Sequence, residues 1–210
     1  MTVIDLAVPA YFHPAREAAD WVRLCATAPL GLVVVNPCSG AGTAADPAYR
    51  PVCAALRARP EVIVAGYVDT AYGTRPAADV LTEAVRYERF YGIGAVFLDQ
   101  VSSGADALDH YVDVVGRLRA SGAAAVVLNP GVAPHPGYRA LADVVVTFEG
   151  PWSAYRGRAP DPPGPGRTCH LVHATPDGRR AAAWRRARSL GADLAYVTAR
   201  GLPNPWDGFA

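Results

Sequence analysis

Two acids stand where apolar runs stop. Gly94-Ala95-Val96-Phe97-Leu98 ends at Asp99-Gln100, and Val144-Val145-Val146-Thr147-Phe148 ends at Glu149. A short apolar run closed by a polar break reads as a strand buried on both faces. In parallel α/β proteins the chemistry collects at the carboxyl ends of such strands. A pair of carboxylates there suits glycoside hydrolysis, in which one group protonates the leaving oxygen while the other attacks the anomeric carbon or activates water. Other strand ends supply candidate substrate-binding side chains: Tyr11 and His13, Asn36 and Ser39, Tyr67, Asp69 and Tyr72, then Gln100, Asn129, Trp152 and Thr198. Tyr11, Tyr67, Tyr72 and Trp152 offer flat apolar faces with polar tips, suited to stacking on sugar rings. A lone strand-end acid is as well explained by an ion pair; two on nearby strands, beside aromatics, favour catalysis.

The elements that must position these residues recur along the whole chain. Strand patterns run over 3–10, 31–36, 62–69, 95–99, 124–129, 143–148, 168–174 and 193–198. Between them the periodicity predicts helices over 15–26, with Ala18, Trp21, Val22 and Cys25 on one stripe, and over 46–59, with Asp46-Pro47 as cap and first position. Further helices are predicted over 77–91, then through Leu108, Val112, Val115 and Leu118 to a stop at Gly122, over a short 138–142, and over 177–190. Residues 156–167 form a Pro/Gly-rich surface loop, and the tail 202–210 is too short for a full eighth helix. Eight such units predict a compact single-domain (β/α)8 TIM barrel over residues 1–210, with short loops and a truncated last helix. A doubly wound open sheet calls for a Gly-rich phosphate turn after the first strand, and the chain has Pro9-Ala10-Tyr11-Phe12-His13-Pro14 there. In a barrel, Asp99 and Glu149 flank the fifth strand. Strands about 4.8 Å apart then separate the two backbones by roughly 10 Å, from which side chains converge.

Composition bounds the partners. The 210 residues are 51% hydrophobic with a formal charge of +1, and all 20 basic residues are arginine. Arginines crowd Arg179 to Arg188, but no nucleic-acid motif accompanies them, so they read as a solvated helix face and no nucleic-acid partner is expected. No apolar run approaches the about 18 residues of a membrane span, and no membrane partner is expected. The start carries no basic region or cleavage site, which reads as cytoplasmic for the chain as given and extracellular if a signal has been removed. Cys25, Cys38, Cys53 and Cys169 are widely spaced and read as reduced thiols. A nucleophilic Cys38 served by His13 or His170 is a weaker reading than an incidental thiol. His170 and His173 are three apart on one strand and point to opposite faces, which disfavours a shared metal. No metal or cofactor is expected, and a monomer is.

Three segments in order, Val33-Val34-Val35-Asn36-Pro37-Cys38-Ser39-Gly40, then Val64-Ala65-Gly66-Tyr67-Val68-Asp69-Thr70-Ala71-Tyr72-Gly73-Thr74-Arg75, then Gly94 to Asp99, resemble the spherulation-specific family 4, or spherulin-4-like, proteins. Tyr11, Asn129-Pro130-Gly131 and Phe148-Glu149 fall where that family has similar elements. The resemblance implies a (β/α)8 glycoside hydrolase cleaving α-1,4-linked N-acetylgalactosamine or galactosamine polysaccharide of microbial origin. It implies Asp99 as the nucleophile or the group assisting attack, and Glu149 as general acid/base. Where the family commonly has Asp-Glu, this chain has Asp99-Gln100, and glutamine keeps a hydrogen bond but cannot ionise. Two other readings stay open: a Mg²⁺-dependent lyase or isomerase holding the ion with Asp99, Asn129 and Glu149, and a non-catalytic carbohydrate-binding or spore-associated protein.

Overall fold

A computed structural model describes residues 4–209. Eight parallel strands close into a barrel in chain order. They are β1 (Asp5–Ala10), β2 (Leu30–Val35), β3 (Ile63–Asp69), β4 (Ala95–Asp99), β5 (Val126–Leu128), β6 (Val144–Pro151), β7 (Arg167–His173) and β8 (Leu194–Val197). The helices between them are α1 (Ala18–Ala26), α2 (Tyr49–Arg57), α3 (Ala77–Tyr91), α4 (Leu108–Ala120), the single turn α5 (Trp152–Tyr155) and α6 (Arg180–Ser189). Strands enclosed by this ring lose water on both faces, which is why β2 is buried at every position and why its sequence is an unbroken apolar run. Val3, assigned to the first strand from sequence, lies outside the described residues, as does Ala210.

The structure corrects the predicted elements in several places. Asp46 does not cap α2: its carboxylate accepts from the Ala48 N–H in a preceding turn, and the helix begins at Tyr49 with Pro51 in its first turn, where a missing N–H breaks no bond. The short helix after β5 is a 3₁₀ turn, Pro136–Ala140, and α6 is preceded by another at Asp177–Arg179. Val22 and Val112 stand 71% and 49% exposed; the buried stripes are carried instead by Trp21 and Leu24 in α1 and by Tyr111, Val114, Val115 and Leu118 in α4. Gly122 closes α4 as expected, in the left-handed region at φ 92. Among the described residues no helix is long and apolar enough to cross a membrane.

One glycine sets a close approach that matters for the mouth. A Cβ at Gly66 would lie 2.3 Å from the Tyr87 ring, so only glycine lets α3 settle against β3. Tyr87 then reaches across to donate to the Val35 carbonyl at 3.1 Å. Buried Glu83 on the same helix takes an ion pair from Arg75 at 2.6 Å and a hydrogen bond from the Ala41 N–H at 3.1 Å. The loops after β2 and β3 are thereby fixed to one helix.

Candidate active site

The carboxyl ends of β4, β5 and β6 bring three side chains together. Asp99 is the last residue of β4, and Asn129 follows β5, its main-chain N–H held by the Leu98 carbonyl at 2.8 Å. The Asn129 amide donates to Asp99 Oδ1 at 2.7 Å and to Glu149 Oε2 at 2.6 Å. Its carbonyl oxygen is occupied by the Gly131 N–H at 3.1 Å, and Gly131 adopts φ 68, a conformation glycine enters without strain. That turn fixes which end of the amide faces the pair. Asn129 therefore presents N–H groups, not an oxygen, to the carboxylates, and the Mg²⁺ reading loses its third oxygen ligand. A pocket of about 250 Å³ lies above, lined by Tyr72, Asp99, Gln100, Asn129, Gly131 and Glu149 among others.

Glu149 reaches this place through an irregularity in β6. The register passes from Val146 opposite Cys169 to Phe148 opposite His170, so Thr147 is an extra residue in the strand. Side chains alternate along a regular strand, and a bulge resets that phase. Thr147 bonds outward to Asp161 at 2.6 Å. Phe148 also turns outward, its ring 4.8 Å from that of Tyr155 on α5. Two consecutive outward residues leave Glu149 facing in.

Burial pushes the carboxyls of both Asp99 and Glu149 above their ordinary range. For Asp99 the loss of water is opposed by hydrogen bonds from Tyr67, the Gln100 main chain and Asn129, while the charge of Asp69 adds to the rise. For Glu149 burial is opposed by Asn129 and Trp206 and reinforced by the charge of Asp99. Asp99 has the richer set of donors to its charged form, so one proton shared by the coupled pair favours Glu149. The Tyr11 phenol is raised well above its usual value, chiefly by burial and then by these two carboxylates. Tyr67 is raised by burial and by Asp99. Both stay neutral hydroxyls, with their rings edge-on at 5.6 Å.

Gln100 and Asp69 form the next layer. The Gln100 amide donates to Asp69 Oδ2 at 3.0 Å, and the other Asp69 oxygen takes the Ala71 N–H at 2.6 Å. Ala71, Tyr72 and Gln100 all lie at positive φ, 46, 55 and 50, and the Tyr72 N–H is held by the Gln100 carbonyl at 2.8 Å. Strained backbone of this kind persists only where surrounding bonds fix it. Here it leaves Tyr72 64% exposed at the pocket rim.

The remaining candidates from sequence make other contacts. His13 bonds Asp46 at 2.8 Å and packs edge-on to Tyr49, joining the loops after β1 and β2. Asn36 accepts from the Gly40 N–H at 2.8 Å, with Ser39 in that same turn at φ 46. Trp152 packs on Tyr155 at 6.3 Å. Thr198 is buried and accepts from the Arg200 N–H at 3.1 Å. Asn36 and Thr198 thus satisfy loop N–H groups, and none of these contacts of the five residues reaches the carboxylate pair.

Trp206 does reach it, and no sequence pattern singled it out. Its indole N–H donates to Glu149 Oε1 at 3.2 Å, and its ring packs on His173 at 6.1 Å and Tyr196 at 6.0 Å. The tail that carries it is tied back to α1, where the Phe209 N–H meets Asp20 at 2.9 Å and Arg23 meets the Phe209 carbonyl at 2.9 Å. A tryptophan with a polar handle, in a tail too short for a helix but directly after the last barrel strand, was the available signal.

Residues 5–210 match the profile of the family described as spherulation-specific family 4. Spherulin-4 of Physarum polycephalum is 34% identical over 152 residues, covering 70% of this chain and 45% of that protein. The chain thus spans about half the length of that curated relative. The crystal structure of Aspergillus clavatus Sph3 in complex with GalNAc superposes with a TM-score of 0.78 at 24% identity, over 99% of this chain and 93% of that one. Phosphoribosyl anthranilate isomerase from Thermus thermophilus shares the barrel more distantly, with a TM-score of 0.53 at 13% identity over 98% and 92% of the two chains. A family match that runs from the first barrel strand through the Trp206 tail takes in the whole site, and the chain belongs to spherulation-specific family 4.

Proposed function

We propose that the chain is a glycoside hydrolase acting on α-1,4-linked galactosamine or N-acetylgalactosamine polysaccharide. Asp99 is the nucleophile or the group that assists attack, and Glu149 is the general acid/base. The observation that carries this reading is the single Asn129 amide bonded to both buried carboxyls. It holds them in mutual reach in the wall of one pocket. The pocket's small volume suits one sugar ring at a time, with exposed Tyr72 as a flat wall beside it. GalNAc bound to the similarly folded Sph3 supports the choice of saccharide.

The Asn129 bridge also bears on stereochemistry. Asp99 Oδ1 and Glu149 Oε2 lie no farther apart than the sum of their bonds to one nitrogen, 2.7 and 2.6 Å. Retaining pairs stand about 5–5.5 Å apart and inverting pairs about 6.5–9.5 Å, with room for a water between them. The upper bound on these nearest oxygens falls within the retaining range and short of the inverting one, so retention is the expected outcome. Proton NMR of the first product from an α-1,4-galactosaminide oligomer is expected to show the α-anomer before mutarotation. Initial release of the β-anomer overturns the retaining assignment; no release of reducing ends at all overturns the hydrolase reading.

Trp206 provides a second check. Its N–H lowers the carboxyl of Glu149, so removing it lets Glu149 keep its proton to higher pH. Trp206→Phe retains the ring packing and is expected to lower kcat about tenfold, the worth of a hydrogen bond to a charged group. The alkaline limb of kcat/KM moves upward in the same variant. An alkaline limb that stays put shows that Glu149 is not the acid.

A further inference from the structure

Behind the barrel wall lies a buried polar chain that the proposed chemistry does not use. Tyr155 on α5 bonds His170 Nδ1 at 2.7 Å, and His170 Nε2 bonds Asp161 at 3.1 Å. Asp161, from the proline-rich loop, also pairs with Arg158 and accepts from the Thr147 hydroxyl at 2.6 Å. Arg158 in turn donates to the Thr147 carbonyl at 3.0 Å, and its guanidinium lies over the Phe148 ring. His170 is fully buried and the Asp161 side chain is 7% exposed. Three contacts at the end of this chain, from Asp161 and Arg158 to Thr147 and from Arg158 over the Phe148 ring, fall on the two residues that face outward in succession and so turn Glu149 inward.

We propose that Asp161, backed by His170 and Tyr155, is a positioning residue for Glu149: by clamping the extra residue Thr147 it fixes the phase of β6 that aims the carboxyl into the mouth. The physical case is one of alternatives. A β-strand pairs in any register its neighbours accept, and one residue of slip exchanges the two faces. Without the clamp, β6 gains ladder bonds by absorbing Thr147, at which point Phe148 turns toward the barrel interior and Glu149 toward the helices. The clamp holds the extra residue out of the ladder by giving its hydroxyl and carbonyl partners on the outer side. The proposal rests on reading Glu149 as the acid/base for its kinetic arm, but not for its structural arm.

The test uses Thr147→Val, which keeps the β-branched shape and removes the hydroxyl, with Thr147→Ser as the conservative rescue and Asp161→Asn as a second lesion from the other side. Kinetically, Thr147→Val and Asp161→Asn are expected to lower kcat about tenfold to a hundredfold, as the register that aims Glu149 inward falls to a minor fraction of the molecules. KM stays within about twofold, and Thr147→Ser recovers most of the rate. Independently of any substrate, the indole N–H resonance of Trp206 reports its bond to Glu149, so both lesions shift that resonance toward the position of an unbonded indole and Thr147→Ser returns it. Lesions that lower Tm but leave the Trp206 resonance unchanged overturn the proposal and reduce the network to a structural fastening. If the wild type cleaves no galactosaminide while the resonance moves as described, the hydrolase reading fails and the clamp stands.

Discussion

Glu149→Gln lowers kcat on an α-1,4-galactosaminide polymer by about 10²–10⁴-fold, the span over which a positioned general acid acts, and Asp99→Asn lowers it at least as far. The two losses differ in kind. An aryl glycoside whose phenol departs without a proton bypasses the acid, so Glu149→Gln recovers much of its first-step rate on that substrate and Asp99→Asn does not. Equal losses for both variants on the activated substrate refute the division of roles. With the proposed roles the active form needs Asp99 ionised and Glu149 protonated, and burial raises both carboxyls. The bell in kcat/KM is therefore displaced above the window set by the ordinary values near about 3.9 and 4.3. Stability carries the opposite sign. A carboxyl raised in the folded state favours folding below its unfolded value, and that contribution is lost as pH rises through the folded value. The pair thus works against the fold once pH has risen through its raised values.

The barrel was legible because its cause is written into every unit. A parallel strand covered on both faces must be apolar throughout, and eight such runs separated by helical stripes leave few other arrangements. Asp99 was legible for the same reason, since it ends a run that stays in phase. Glu149 was found by its position after an apolar run, but strict alternation through Val146, Thr147 and Phe148 would have turned it outward. The bulge that corrects this depends on Asp161, distant in sequence and set in a proline-rich loop that carried no pattern. His13, Asn36, Ser39, Trp152 and Thr198 were proposed by that same positional reasoning. A strand-end polar residue has loop backbone to satisfy as well as a mouth to face, and His13, Asn36 and Thr198 each accept a loop N–H. Trp206 was missed for the converse reason: it lies on no strand end, and the tail was judged by the helix it could not form. Gln100, read as a substrate-binding side chain that keeps a hydrogen bond but cannot ionise where the family commonly has glutamate, gives its amide to Asp69.

Asn129 is the residue whose loss has the next largest effect, because it serves both carboxyls at once. Its amide lowers Asp99 and Glu149 alike, and in its absence the two buried acids face each other with no donor between them. Asn129→Ala is expected to lower kcat by about 10²–10³-fold, comparable to removing one preorganised donor from a water-excluded site, and to move both limbs of the pH profile upward. Asn129→Asp is the sharper experiment. It places a third carboxylate within hydrogen-bond range of the other two, where like charges disfavour ionisation, so the bridge re-forms only when an additional proton is bound. Activity in Asn129→Asp is lost at neutral pH and partly recovered in acid, whereas Asn129→Ala gains nothing from acid beyond its shifted profile. Thermal stability follows the same course, with the Asp variant falling below wild type as pH rises through the raised values of the three acids. An Asn129→Asp variant with an unchanged pH profile shows that the amide does not bridge the pair in solution. The short carboxylate separation, and with it the expectation of retention, then fails as well.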